Sequence, residues 1–197
     1  MRKLIVCNIM SVDGYFEGPN KNVMVLPMDG AFDAYCAERL RAADTLLLGR
    51  TTYDMFRGFW PPVADDPRFT PAEREVSRLD NAIDKVVVSD SLTAEQTDPW
   101  RATTRIVGRA DADEEIAALK QQTGGDLLVF GSHTLWSGLL DRGLVDELHL
   151  LVGNVAVGEG TPLFRGPQAP SLKLIETRTW DGSDNVLIRY DARQTGT

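Results

Sequence analysis

Leu46-Leu47-Leu48-Gly49-Arg50-Thr51-Thr52-Tyr53 is a short apolar run that ends abruptly in glycine, a guanidinium and two hydroxyls. A buried strand with such an end brings backbone N–H groups close to an anion, because glycine has no Cβ to hold a phosphate away. A helix starting at Arg50 or Thr51 would add its positive dipole end, and Arg50 a bidentate donor. The design returns in Leu127-Leu128-Val129-Phe130-Gly131-Ser132-His133-Thr134, ahead of an apolar helix carrying Leu135, Leu139 and Leu140. Each junction also has a plain structural reading, a strand-to-helix turn in which Thr51 or Ser132 caps the helix and Tyr53 packs. Two such ends in one small sheet point to a dinucleotide.

Apolar runs at 3–10, 45–49, 84–88, 103–107 and 126–130 are rich in Val, Ile and Leu with little polar alternation. Strands buried on both faces, as in a parallel sheet covered by helices, have this composition. Helix-period segments lie between them. Residues 31–43 put Phe32, Cys36 and Leu40 on one stripe, and 112–123 group Ile116, Leu119 and Thr123. The second segment opens with Asp113, Glu114 and Glu115 and closes at Gly124-Gly125, which suits a helix dipole and a C-terminal cap. The tail differs: 145–152, 171–180 and 185–191 follow without a helix, and Asp181-Gly182 supplies a hairpin turn. Four prolines between 59 and 71 make that stretch a surface loop without regular structure. The pattern predicts one α/β domain over 1–197, mostly parallel and finishing in antiparallel strands.

With 197 residues, 43% of them hydrophobic, the chain can bury a full core. Its net charge of −8 argues against nucleic acid and anionic membrane as partners. The basic, apolar opening Met1-Arg2-Lys3-Leu4-Ile5-Val6-Cys7 is too short for an export signal and meets Asp13-Gly14, so it reads as a first strand. No apolar stretch approaches a membrane span. Cys7 and Cys36 form neither a CxxC pair nor a disulfide framework, which points to a reducing cytoplasm.

Neither junction matches a GxxxxGK loop, and Gly158-Glu159-Gly160-Thr161-Pro162-Leu163 does not complete GxGxxG. No GxSxG elbow is present, which disfavours a serine hydrolase. His133 and His149 are the two imidazoles; His149, inside Glu147-Leu148-His149-Leu150, reads as a packed strand residue, and no metal site is expected. Asp29 and Asp33 stand four apart at the start of the first helix and share a face. Asp29 suits an N-cap. Asp33 lies beside the apolar stripe, where burial would raise its pKa toward an acid useful at neutral pH.

Taken together, Ser11-Val12-Asp13-Gly14-Tyr15, Leu48-Gly49-Arg50-Thr51-Thr52-Tyr53, Val87-Val88-Ser89, Phe130-Gly131-Ser132, Gly143-Leu144-Val145-Asp146-Glu147-Leu148 and Gly158-Glu159-Gly160-Thr161-Pro162-Leu163-Phe164 form a specific set. The chain resembles the dihydrofolate reductase-like family, and more closely its branch containing the C-terminal reductase domain of riboflavin biosynthesis enzymes. The likeness runs from residue 2 to about 191. It implies a three-layer α/β/α domain, an NADPH cofactor, and hydride transfer to a pterin-like or pyrimidine-like heterocycle. Separately, the antiparallel edge near the C terminus has an exposed ladder that could pair with another copy, so a homodimer is expected.

By this resemblance Gly49, Arg50, Thr51 and Thr52 would lie near the pyrophosphate and 2′-phosphoribose, and Ser89 on the adenosine side. Arg109 would suit the 2′-phosphate. Gly131, Ser132, His133, Thr134 and Leu135 would close over the pyrophosphate and nicotinamide ribose. The catalytic carboxylate on the first helix is Asp33 when counted back from Gly49, and Asp29 when counted forward from Leu26-Pro27; Asp33 is favoured, because the helix after it fixes its depth in the pocket. Asn8, Asp13, Asp29 and Tyr53 are candidate substrate contacts, and the loop 11–20 would cover the nicotinamide. The chain departs from the family pattern at Asp90, whose charge opposes a 2′-phosphate. It departs again at Leu151, where a hydroxyl usually supports the carboxylate, and near Met24, where a tryptophan is expected. The last two favour the alternative of a dinucleotide-binding module without turnover.

Overall fold

Strands that carry apolar side chains on both faces need cover on both, and the chain supplies it by alternating strand and helix. The computed structural model describes residues 1–164 and 171–193; the parts of the expected 1–197 span at 165–170 and 194–197 lie outside the described residues. In chain order the elements are β1 (Leu4–Met10), β2 (Tyr15–Glu17), α1 (Gly30–Ala42), β3 (Ala43–Gly49), α2 (Arg50–Phe59), α3 (Pro71–Ala82), β4 (Asp84–Val88) and β5 (Thr104–Val107). They continue with α4 (Ala112–Gln121), β6 (Asp126–Phe130), α5 (His133–Asp141), β7 (Glu147–Val152), β8 (Thr161–Pro162), β9 (Lys173–Arg178) and β10 (Val186–Asp191). Eight strands form one sheet in the order β5-β4-β3-β6-β1-β7-β10-β9. The pairs from β5 to β7 are parallel, and the β7–β10 and β10–β9 pairs are antiparallel. This is the mostly parallel α/β/α sandwich with an antiparallel C-terminal end that the sequence predicts.

Alternate residues of each central strand enter opposite cores. Ile5, Cys7, Ile9, Leu46, Leu48, Val87, Leu128 and Leu151 meet α1, α2 and α3 on one face. Leu4, Val6, Leu47, Val86, Leu127, Val129 and Leu148 meet α4 and α5 on the other. His149 is buried in this framework as a satisfied strand residue. Its Nδ1 accepts from Tyr35 Oη at 2.8 Å, and its Nε2 faces Glu147 Oε2 at 2.9 Å. Cys7 and Cys36 are free and buried, and burial pushes the Cys7 thiol up to about 12.

Three sequence expectations need correction. The 59–71 stretch is irregular as a whole, but Val63–Asp65 forms a 3-10 turn and Pro71 is the first residue of α3. Proline fits there because its missing N–H has no helical acceptor at that position. Thr70 and Glu73 close a capping box just before it. Second, α4 ends at Gln121 with an extended Gln122 as its cap, so Gly124-Gly125 is not the helix cap. Those glycines make room where the chain passes the start of β3: a Cβ on Gly125 would come within 2.8 Å of the Ala42 carbonyl oxygen. Third, the loop 11–20 is not loop throughout: its residues Tyr15–Glu17 form β2, which pairs with β8 in a small second sheet, two segments too short to carry a strand signature.

Gly125→Ala is therefore expected to destabilise the fold by about 1–3 kcal/mol, because backbone rather than a movable side chain blocks the methyl. Gly30→Ala, whose Cβ meets nothing within 4 Å, should be neutral or stabilising. Urea midpoints of the two variants check this; equal midpoints would contradict the close approach.

Candidate active site

Strand β6 lies between β3 and β1, and this placement puts Gly49 and Gly131 side by side at the C-terminal edge of the sheet. Ligands of open α/β sheets bind at this edge, where the strand order reverses. The two junctions are hydrogen-bonded to each other. Gly49 N–H donates to Ser132 Oγ at 3.0 Å, and Ser132 N–H donates to Thr52 Oγ1 at 2.9 Å. Gly131 and Ser132 take φ of 54° and 49°, and a Cβ on Gly131 would press on Thr52 Cγ2 at 2.9 Å. Only glycine meets both demands at 131. Ser132 is thus not the side-chain cap of α5, nor does Thr51 cap α2: the residue before α2 is Gly49, and both helices begin without a side-chain cap.

The helix starts differ in a way that matters for anions. Asp29 caps α1, and Thr70 caps α3. The start of α4 has no side-chain cap, but Asp113, Glu114 and Glu115 fill its first turn and would repel an anion. Only α2 and α5, among the described α-helices, start with neither a side-chain cap nor an acidic first turn. Their first N–H groups, from Arg50, Thr51 and Thr52 and from His133 and Thr134, have no acceptor within the helix. The paired glycines and the helix-start amides fit a pyrophosphate.

Beyond β4 and β5 lies the proposed adenosine side. Ser89 is buried, and its Oγ accepts from Ser91 N–H and Leu92 N–H. Asp90 Oδ1 accepts from Arg109 N–H at 2.8 Å, and its Oδ2 lies 3.6 Å from Arg109 Nε. Arg109 is largely exposed, at 77% of its side chain. Arg50 pairs with Asp54 at 2.5 Å and donates to Gln96 Oε1 at 3.2 Å. The side therefore holds two guanidiniums, each already facing a carboxylate.

The two α1 carboxylates separate cleanly. Asp29 Oδ1 accepts from Ala31 and Phe32 N–H, Asp29 Oδ2 accepts from Ser183 Oγ at 2.5 Å, and these bonds hold its pKa below the usual carboxylate range despite burial. Asp33, half-buried, has no hydrogen bond or ion pair to its carboxylate among the described residues. Burial first, then the charges of Glu73 and Asp29, push it up to about 7. Glu73 comes from α3, and sequence reading missed it, although Thr70-Pro71-Ala72-Glu73 carries the capping-box spacing that fixes it there. Leu151, in the position of the usual hydroxyl, is fully buried in the α1-side core, and Met24 is 77% exposed.

Of the other candidates, Asn8 is buried near the end of β1 with its Nδ2 lacking a partner, a donor available to a ligand. Asp13 caps a neighbouring loop, accepting from Val157 N–H at 3.1 Å and Gly158 N–H at 2.8 Å. Thr134 is exposed at the start of α5, and Leu135 packs into the α5-side core. His133 faces Leu163 O through its ring Nε2, at 2.8 Å. Tyr53 is not a substrate contact: it is fully buried, with its hydroxyl on Thr97 O and Thr104 Oγ1 and its ring edge-on to Trp100. The packing alternative wins there because the residue lies on the inner face of α2. Among the described residues no cluster of three or more His, Cys, Asp or Glu could hold a metal, and no helix is long and apolar enough to cross a membrane.

Comparison with known proteins agrees with this architecture. An uncharacterized protein of Bacillus subtilis, YyaP, is 32% identical over 190 residues, covering 96% of this chain and 94% of the relative. A putative riboflavin biosynthesis protein from Shewanella superposes with a TM-score of 0.70 at 20% identity, covering 98% of this chain and 99% of that one. A Thermotoga maritima diaminohydroxyphosphoribosylaminopyrimidine deaminase/5-amino-6-(5-phosphoribosylamino)uracil reductase gives a TM-score of 0.66 at 13% identity, with 97% of this chain on 56% of that one. The model of the RibD C-terminal domain matches residues 2–188, so the chain belongs to the RibD C-terminal domain family, whose fold is dihydrofolate reductase-like.

Proposed function

We propose that this protein is an NADPH-dependent reductase that delivers hydride to an electron-poor C=N or C=O carbon of a pterin-like or pyrimidine-like heterocycle. One observation carries the reading: α2 and α5 start side by side with neither side-chain cap nor acidic first turn, cross-bonded through Ser132 and Thr52. The bound cofactor supplies the hydride. The chain supplies the rest. Amides of residues 50–52 and 133–134 hold the pyrophosphate, and Arg50 and Arg109 support a 2′-phosphate against the charge of Asp90. Asn8 Nδ2 offers a donor at the end of the central strand. Asp33 hydrogen-bonds the heterocycle and provides the proton, a role suited to a carboxyl at about 7. The reading extends to a homodimer paired along β9, where Leu174 and Ile175 are exposed.

The experiment that tests the reading mixes the protein with NADPH, or NADH for comparison, and a panel of pterins and aminouracils, and follows oxidation of the nicotinamide. Saturable NADPH binding without turnover on any member would favour the binding-module alternative, which draws on Leu151 and the missing tryptophan.

Asp33→Asn should lower kcat at least about a hundredfold while leaving NADPH affinity nearly unchanged; equal loss of both would remove Asp33 from its role. The same variant has a stability signature. Because the folded value of about 7 lies above the unfolded 3.8, the folded protein binds the extra proton between them, and the stability tied to the neutral acid is lost as pH rises through 7. Wild type and variant should match in stability near pH 4, diverge as the pH rises from about 4 to about 7 and keep a constant difference above that, with the variant the more stable; curves that stay parallel from pH 4 to 7 would contradict the buried acid.

Thr52→Val deletes the acceptor of Ser132 N–H with little change in volume and should raise the NADPH Kd about tenfold in a fluorescence titration. An unchanged Kd would show that the interlock does not shape the site. Light scattering at micromolar concentration checks the dimer: the mass of two chains is expected, and Leu174→Lys should shift it toward one.

A further inference from the structure

The loop after β1 and the segment before β8 are laced into one body. Val12 N–H donates to Val155 O, Asp13 takes the amides of Val157 and Gly158, and Tyr15 Oη donates to Gly158 O at 3.1 Å. Thr161 Oγ1 donates to Glu17 Oε1 at 2.6 Å, and Leu163 N–H donates to Gly14 O at 2.8 Å. Gly160 lies so close to the Glu17 and Gly18 backbone that no Cβ fits. Segments bonded at this density move together or not at all.

This body meets the first turn of α5 at His133 and Trp136, and His133 makes a polar contact there. His133 is the first residue of α5, and its neighbour Ser132 makes the bonds to Gly49 and Thr52. The His133 Nε2 lies 2.8 Å from Leu163 O; because a carbonyl only accepts, the ring is the donor and Nε2 carries the proton. The ring also packs on Phe16 of β2, with centroids 5.1 Å apart, and edge-on against Trp136 at 5.3 Å. Trp136 is fully buried and therefore fixes the ring from below.

We infer that His133 is a positioning residue that ties the laced 11–17/155–163 body to the dinucleotide-binding end of α5, so that cofactor binding orders the cover over the site. This rests on the dinucleotide reading of the α2 and α5 starts. The reasoning is local. An anion seated at the α5 N-terminus fixes the first turn of the helix, and fixing that turn fixes the imidazole that holds Leu163.

Hydrogen–deuterium exchange at the Val157, Gly158 and Leu163 amides tests it in wild type, His133→Phe and His133→Gln, each with and without saturating NADPH. His133→Phe keeps the ring contacts and loses the donor; His133→Gln places an amide N–H near the same point. Without cofactor, His133→Phe should exchange about tenfold faster at these amides, with His133→Gln close to wild type and the β3 and β6 core amides unchanged in all three. NADPH should slow these amides in wild type and His133→Gln but not in His133→Phe, although it still binds. Wild-type exchange in His133→Phe, with NADPH bound and slowing the amides as usual, overturns the tie and leaves the dinucleotide reading standing. Failure of wild type to bind NADPH overturns both.

Discussion

The site depends on two helix N-termini being held against each other. Each carries roughly half a positive charge and several N–H groups without helical acceptors, so bringing α2 and α5 together is unfavourable until something negative lies between them. The fold opposes that repulsion with Ser132, which accepts from Gly49 N–H through Oγ and gives its own N–H to Thr52. The arrangement exists because β6 inserts between β3 and β1. A strand inserted between β3 and β6 would add a further spacing of about 4.8 Å between the glycines and leave two unrelated helix starts.

A second consequence of burial sets the chemistry on α1. Asp29 and Asp33 lie one turn apart on the same helix, yet their environments push them in opposite directions. Asp29 spends its oxygens on two backbone amides and Ser183, which favours its charged form. Asp33 has apolar cover and the like charges of Glu73 and Asp29, which favour its neutral form. One carboxylate builds the helix and the other is kept ready to hold a proton. Separation of this kind, from environment alone, is how one helix start holds a charged cap beside a carboxyl pushed toward its neutral form.

Much of this was legible in the residues. Val87, Leu47, Leu128 and their neighbours announce two-sided burial because a strand without polar alternation can face water on neither side. Gly49 and Gly131 announce strand ends at which a backbone is approached closely. The count that separates Asp33 from Asp29 stayed open in sequence because it turns on a loop of variable length, and three hydrogen bonds to Asp29 decide its structural part. Other features were out of reach for identifiable reasons. Gly124-Gly125 reads as a helix cap because a glycine needed for close approach and one needed for a left-handed turn are the same letter. Tyr53 looks like a ligand contact beside Thr51 and Thr52, but the helical period turns it to the inner face of α2. The β2–β8 pair is two or three residues on each side and leaves no period to detect. His133 sits in a phosphate-binding stretch by sequence and faces a carbonyl far along the chain in space.

The claim that the two strand ends grip one molecule is tested most directly by following backbone amide resonances while NADPH is added. The account predicts that the amides of residues 50–52 and those of 132–134 shift together along a single saturation curve with one Kd. Shifts confined to one cluster, two curves with different midpoints, or no saturable shift at either would contradict it.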